Sequence, residues 1–258
     1  MKQFELKDIA ENVSEKIKKI RNTSLFDENP FPHFFIDDFF DAVFANKLLN
    51  SFPNLDSTEW ERSNDPEIEI KMRSQWKSEF DCPEQISNAI RIMNSAPFLR
   101  ALSEALKIPK LIPDPYFTGG GLNVTVSGGL LDVHVDGNYH DATGLHRRVN
   151  AILYLNPGWK KVWGGEFGLF DEKGDKLVKK IAPLHNRFMA FDTNDYSFHG
   201  LPDPLNFPEG NARRSIILYY YTKEPRLQSK IQVDAPHSAL WKKKGWTDKR
   251  GNKTRDFE

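Results

Sequence analysis

His134 and Asp136 stand two residues apart in Gly128-Gly129-Leu130-Leu131-Asp132-Val133-His134-Val135-Asp136. On a strand that spacing sends both side chains to the same face, where they can share one ion. A second imidazole, His199, lies in Phe198-His199-Gly200 on a later apolar segment. Two imidazoles and one carboxylate form a facial triad, which takes one face of an octahedral ion and leaves three adjacent positions open. Such a mixed donor set suits Fe(II), and the open face suits oxygen chemistry. The His-x-Asp spacing carries little weight alone in a chain with seven histidines, and a lone buried histidine is more often a satisfied core residue.

The next observation is downstream. Arg213 begins Arg213-Arg214-Ser215-Ile216-Ile217-Leu218-Tyr219-Tyr220-Tyr221, a strand apolar or aromatic on both faces. A guanidinium buried there is costly without an anionic partner. A carboxylate matches the planar fork of arginine, and the distal carboxylate of 2-oxoglutarate is such an acceptor. Alternation groups Arg213, Ser215, Ile217 and Tyr219 on one face and Arg214, Ile216, Leu218 and Tyr220 on the other. Only one arginine can anchor the ligand, and the pattern does not choose between Arg213 and Arg214.

These residues need strands to hold them. From Tyr116 onward the chain reads as short strands punctuated by Gly, Asn, Asp and Pro, the pattern of a β-sandwich or barrel. Strands are expected over residues 122–126, 130–135, 149–155, 166–170, 177–181, 187–191, 196–200 and 215–221, which fits a double-sheet jelly roll. Upstream, Leu6, Ile9, Val13, Ile17 and Ile20 recur at helical spacing and predict an amphipathic first helix. The aromatic run 31–40 predicts a buried strand leading into a helix over 41–52. Residues 54–73 are polar and broken, and are read as loop with at most short strands. Residues 83–106 read as helical, with a break or kink at Pro97. The tail beyond Thr222 is basic, with Trp241 and Trp246, and is read as a solvated, partly ordered extension.

Length and charge bound the rest. A chain of 258 residues can build one substantial domain. With 36 basic and 36 acidic side chains, no global field favours nucleic acid or an anionic membrane. The single cysteine excludes an internal disulfide framework and fits a reducing compartment, so a cytoplasmic setting is expected. Residues 1–19 alternate charged and isolated apolar residues, and are read as neither a signal peptide nor a membrane span.

Residues 121–222 resemble the catalytic core of the prolyl-hydroxylase-like 2-oxoglutarate/Fe(II) dioxygenases. The resemblance rests on the 128–136 motif, on Arg148-Val149-Asn150-Ala151-Ile152-Leu153-Tyr154-Leu155-Asn156, and on Gly164-Gly165-Glu166-Phe167. It implies a mainly β fold with flanking helices, a double-stranded β-helix (jelly roll) with N-terminal helices packed on the main sheet. It divides the chain into a support region (1–115), a catalytic core (116–222) and a basic extension (223–258), within one folded domain. It implies His134, Asp136 and His199 as metal ligands, Arg213 as the anchor of the cosubstrate's distal carboxylate and Tyr154 as a second contact to it. Strand alternation places Tyr154, Ile152, Asn150 and Arg148 on one face, and Asn150 and Phe167 are further candidates for lining the pocket. The implied cofactors are Fe(II), 2-oxoglutarate and O2, with ascorbate as an optional reductant.

The implied reaction turns 2-oxoglutarate and O2 into succinate and carbon dioxide while hydroxylating an unactivated C–H bond. Retention of Asp136 favours hydroxylation over halogenation. The substrate is left open between a residue of a protein, a free amino acid and a sugar-containing small molecule. Two other readings compete: a non-catalytic jelly-roll binding module, and a cupin-like metalloenzyme that does not use 2-oxoglutarate. Loop 137–147 is expected to exclude water from the site, His140 and His146 within it to be solvent-exposed, and Asp192, Asn194 and Asp195 to form a turn.

Overall fold

The computed structural model describes residues 3–76, 78–231 and 235–247. Among the described residues four α-helices, α1 (Gln3–Lys19), α2 (Ala42–Asn50), α3 (Glu84–Met93) and α4 (Ala96–Leu106), accompany fourteen strands. Those before the core are β1 (Phe26–Asp27), β2 (His33–Ile36), β3 (Trp60–Asp65), β4 (Glu69–Ser74) and β5 (Ile112–Pro113). The core strands are β6 (Gly121–Thr125), β7 (Leu130–Val135), β8 (His146–Tyr154), β9 (Phe167–Phe170), β10 (Leu177–Ile181), β11 (Arg187–Asp192), β12 (His199–Leu201) and β13 (Arg213–Thr222). A last strand, β14 (Leu240–Trp241), follows. All eight core strands anticipated from the sequence form, with ends shifted by a few residues.

The sheet runs β1-β2-β11-β8-β13-β6-β4-β7-β12-β9-β10 and every pairing is antiparallel. Strand β4 joins its two halves, pairing Met72 with Val124 on β6 and Ile70 with Leu130 on β7. Residues 54–73, expected as loop with at most short strands, thus hold the six-residue strand β3 and most of the six-residue strand β4, and β4 is integral to the sheet. Ile68, Ile70 and Met72 do alternate with Glu69, Lys71 and Arg73, but the charged face turns into a cavity, so the segment lacks the polarity pattern of a strand over a dry core.

Alternation along β8 and β13 divides the interior. Val149, Ala151, Leu153, Ile216, Leu218 and Tyr220 pack outward into one core with α1, α2, α3 and α4. Ile152, Tyr154, Phe167, Leu169, Met189 and Phe191 fill a second core inside the fold. The helices back the main sheet as expected because their apolar stripes have that outer face to cover. Asp41 caps α2 by accepting from Phe44 N at 2.9 Å. The break between α3 and α4 falls at Asn94 and Ser95, so Pro97 sits in the first turn of α4, where a missing N–H costs nothing. No helix among the described residues is long and apolar enough to cross a membrane.

Candidate metal centre

His199 pairs across β12 and β7 with His134, which brings the later imidazole to the His-x-Asp strand. Each ring is held at its Nδ1. His134 donates to the Asp132 carbonyl at 2.8 Å, and His199 donates to the Ser197 carbonyl at 2.8 Å. A proton held at Nδ1 leaves the Nε2 lone pair of the neutral ring free to bind a metal. Both Nε2 atoms lie 3.8 Å from Asp136 Oδ1. That distance is too long for a hydrogen bond, and donors each about 2.1 Å from one ion lie at most about 4.2 Å apart. The other carboxylate oxygen, Oδ2, accepts from Asn150 Nδ2 at 3.0 Å.

Protonation favours the same use. Burial pushes His134 down to about 3 and also lowers His199, so both are neutral ligands at ordinary pH. Burial works to raise Asp136, yet the neighbouring His199, Arg147 and His134, with the Asn150 hydrogen bond, hold it below the usual carboxylate range. Three buried donors within 4.8 Å of one another, two neutral and one anionic, fit a divalent ion. Asn194 builds the turn behind His199: its Oδ1 accepts from Tyr196 N and its carbonyl accepts from Ser197 Oγ. Asp192 ends β11, Asn194 and Asp195 follow it, and none of the three lines the cavity beside the triad.

The triad opens on a cavity of about 270 Å³ whose lining includes Asn150, Ile152, Phe167 and Ile217. Phe167 stacks against His199 with centroids 5.2 Å apart. Charged and aromatic residues line it too: Lys71 and Arg73 of β4, Arg147, Tyr139, Tyr219 and Trp241. Sequence reasoning did not assign Lys71, Arg73, Arg147 or Trp241 to the site. Arg148, expected on the face of Asn150, does not line the cavity, because β8 carries a bulge: Tyr220 pairs with Val149 and Tyr221 with Arg147, leaving Arg148 unopposed. The extra residue inverts the alternation and turns Arg147 inward, its guanidinium 3.9 Å over the Tyr219 ring. A larger cavity of about 620 Å³ lies elsewhere, between the end of α2 and Arg214, and holds no member of the triad.

Arg213 is buried on the inner face, while Arg214 lies at the outer cavity. Arg213 Nε donates to the Gly165 carbonyl at 2.8 Å, and its guanidinium carbon lies 4.9 Å from the Tyr154 ring. No carboxylate among the described residues pairs with it, and burial lowers its pKa. Ser215, opposite Tyr154 across the ladder, keeps a fully buried Oγ without a partner. Arg213 and Tyr154 do not line the triad's cavity; Ile152, Ile217 and Phe167, from the same inner faces, do. Tyr154 Oη contacts Met189 Sδ at 3.2 Å, and burial pushes its pKa up to about 12.

His140 is buried, not exposed, correcting the expectation. Its Nδ1 accepts from the backbone N–H groups of Ala142 and Thr143, and its Nε2 donates to Asp114 at 3.0 Å. His146 is half-buried. The loop 137–147 is consequently pinned from within.

Residues 120–221 match the family model described as the 2OG-Fe(II) oxygenase superfamily. That match spans about two fifths of the chain, the segment that carries all three convergent donors. Prolyl 3-hydroxylase OGFOD1 of Mus musculus is 33% identical to this chain over 86 residues, and that of Xenopus laevis 31% over 106 residues. These spans cover 32% and 38% of this chain but only 15% and 20% of those relatives. A solved prolyl hydroxylase from Trichoplax adhaerens, in complex with a hypoxia inducible factor oxygen degradation domain peptide fragment, superposes with a TM-score of 0.56 at 21% identity. It covers 86% of this chain and 94% of its own. A Pseudomonas putida prolyl-4-hydroxylase gives a TM-score of 0.56 at 18% identity, covering 83% and 100%. At these identities the structures establish the fold alone, the jelly roll with helices on its main sheet.

Proposed function

We propose that this protein is an Fe(II)- and 2-oxoglutarate-dependent dioxygenase that hydroxylates a residue of a polypeptide, with a prolyl residue as the first candidate. The observation that carries this reading is the convergence of His134 Nε2, His199 Nε2 and Asp136 Oδ1, with every other donor or acceptor of those side chains already held. Fe(II) and 2-oxoglutarate supply, when bound, the conversion of O2 and cosubstrate to succinate and carbon dioxide with insertion of one oxygen atom into a C–H bond. The protein's part is to orient and exclude.

In this reading His134, Asp136 and His199 hold the metal, while Asn150 fixes the rotation of the Asp136 carboxylate. Arg213 anchors the distal carboxylate, and its lack of an anionic partner supports that role. The orphaned Ser215 Oγ supplies a second donor, and Tyr154, whose raised pKa keeps its proton, a third. Phe167 closes the apolar wall beside His199. Residues 116–222 act as the catalytic core, 1–115 as its support and 223–258 as an extension. The arginine and tyrosine argue against a metalloenzyme that does not use 2-oxoglutarate, since such an enzyme has no call for a second carboxylate site.

A polypeptide substrate is supported by the two curated prolyl 3-hydroxylases and by the cavity itself. Arg147 Nε and Trp241 Nε1 are buried donors, and Asn150 Oδ1 a buried acceptor, without partners. A peptide backbone offers both acceptors and donors. The single cysteine supports a reducing, cytoplasmic setting. The test is succinate release from 2-oxoglutarate with a panel of prolyl peptides, followed by mass spectrometry of each peptide. Stimulated succinate with one oxygen added to a peptide is expected; stimulation only by free amino acids or sugars contradicts the polypeptide assignment.

A further inference from the structure

Residues 235–247 run back over the strand that carries the first metal-ligand candidates. Strand β14 pairs with β7 in a register that sets Trp241 opposite His134. The indole lies on the imidazole with centroids 4.5 Å apart and planes at 30°. Two residues on, the backbone N–H of Lys243 donates to Asp132 Oδ2 at 2.7 Å. Asp132 is also the residue whose carbonyl holds His134 Nδ1. This strap therefore reaches His134 twice, at its face and through the residue that holds its edge.

The strap is itself fastened. Lys242 Nζ donates to Asp175 at 2.6 Å and to the Gly174 carbonyl at 2.7 Å. Trp246 packs on Phe198, the neighbour of His199, at 4.7 Å. Gly174 has φ +71°, and a Cβ there would sit 2.7 Å from Trp246, so only glycine admits the contact. An imidazole held by one hydrogen bond at Nδ1 can still rock about that bond. A ring stacked on its face removes this freedom.

We propose that Trp241 is a positioning residue of the metal centre, and that the strap 235–247 holds it in place, so that the centre's affinity for a divalent cation depends on a segment outside the oxygenase domain. The inference rests on the reading of His134, Asp136 and His199 as a metal site. Outer residues that orient a metal-bound histidine typically account for about 10–100-fold in affinity. Trp241→Ala removes the stacked ring, Trp241→Phe keeps one, and Lys243→Pro removes the N–H that Asp132 accepts.

The test uses the full chain, with Co(II) alone as the spectroscopic probe and circular dichroism to confirm folding. Trp241→Ala and Lys243→Pro are expected to bind Co(II) about tenfold more weakly or worse, with an altered visible spectrum. Trp241→Phe is expected to restore affinity and spectrum. Wild-type affinity and spectrum in both Trp241→Ala and Lys243→Pro overturn the proposal. Adding Fe(II) and 2-oxoglutarate to the wild type separates the two claims: Co(II) binding without a charge-transfer band removes the cosubstrate reading and leaves the Co(II) comparison to decide the role of Trp241. Failure of the wild type to bind Co(II) overturns both.

Discussion

Asn150 donates to one oxygen of Asp136 at 3.0 Å and leaves the other, Oδ1, facing His134 and His199. The carboxylate is thereby set for monodentate binding before any ion arrives. Asn150→Ala frees that rotation. The expected result is about 10–100-fold weaker Fe(II) binding with the fold retained, measured by anaerobic titration beside a circular dichroism spectrum. Unchanged affinity would remove Asn150 from the site.

Arg213 provides the second test. Arg213→Lys keeps the charge but loses the planar fork. Hydrogen bonds to charged groups contribute about 1.5–3 kcal/mol, so the Kd for 2-oxoglutarate is expected to rise roughly tenfold or more while metal affinity stays put. Ser215→Ala should weaken the same ligand by less. Arg214→Lys, at the outer cavity, should leave 2-oxoglutarate binding unchanged.

The buried histidines predict a pH dependence of the metal-free protein. Burial lowers His134 to about 3 and lowers His199 as well, while in the unfolded chain both titrate near 6.5. As pH falls below about 6.5 the unfolded state binds protons that the folded state refuses, so stability falls with it. For each histidine the slope approaches about 1.4 kcal/mol per pH unit until the folded pKa is reached. Urea midpoints between pH 7 and pH 4 measure this, and a His134→Gln variant should show a shallower decline.

Pinning of the 137–147 loop by His140 and Asp114 sets a further expectation. His140→Ala leaves Asp114 and two backbone N–H groups short of a partner, at about 1–3 kcal/mol. Hydrogen exchange within residues 137–147 should accelerate and succinate release without substrate should rise. If both stay at wild-type levels, the loop does not guard the site.

Much of this architecture was legible in the sequence. The eight core strands follow from alternation and turn residues, the shared face of His134 and Asp136 follows from strand spacing, and His199 came in through the resemblance to a known family. Three features were not, each for a physical reason. Strand β4 lines a cavity with Glu69, Lys71 and Arg73, so a half-buried strand looks like a polar loop. The bulge at Arg148 inserts a residue that no period-2 pattern anticipates, which sent the wrong arginine to the pocket. Burial of His140 depends on Asp114, which sits 26 residues upstream.

The central claim is that the three convergent donors hold Fe(II) with 2-oxoglutarate bound to it. Anaerobic addition of Fe(II) and 2-oxoglutarate to the wild type and to Asp136→Ala, followed by visible absorbance, tests it most directly. The account predicts a weak metal-to-ligand charge-transfer band in the wild type, lost or strongly weakened in Asp136→Ala. A wild-type protein that binds Fe(II) with no such band, or an Asp136→Ala variant with an undiminished one, would contradict it.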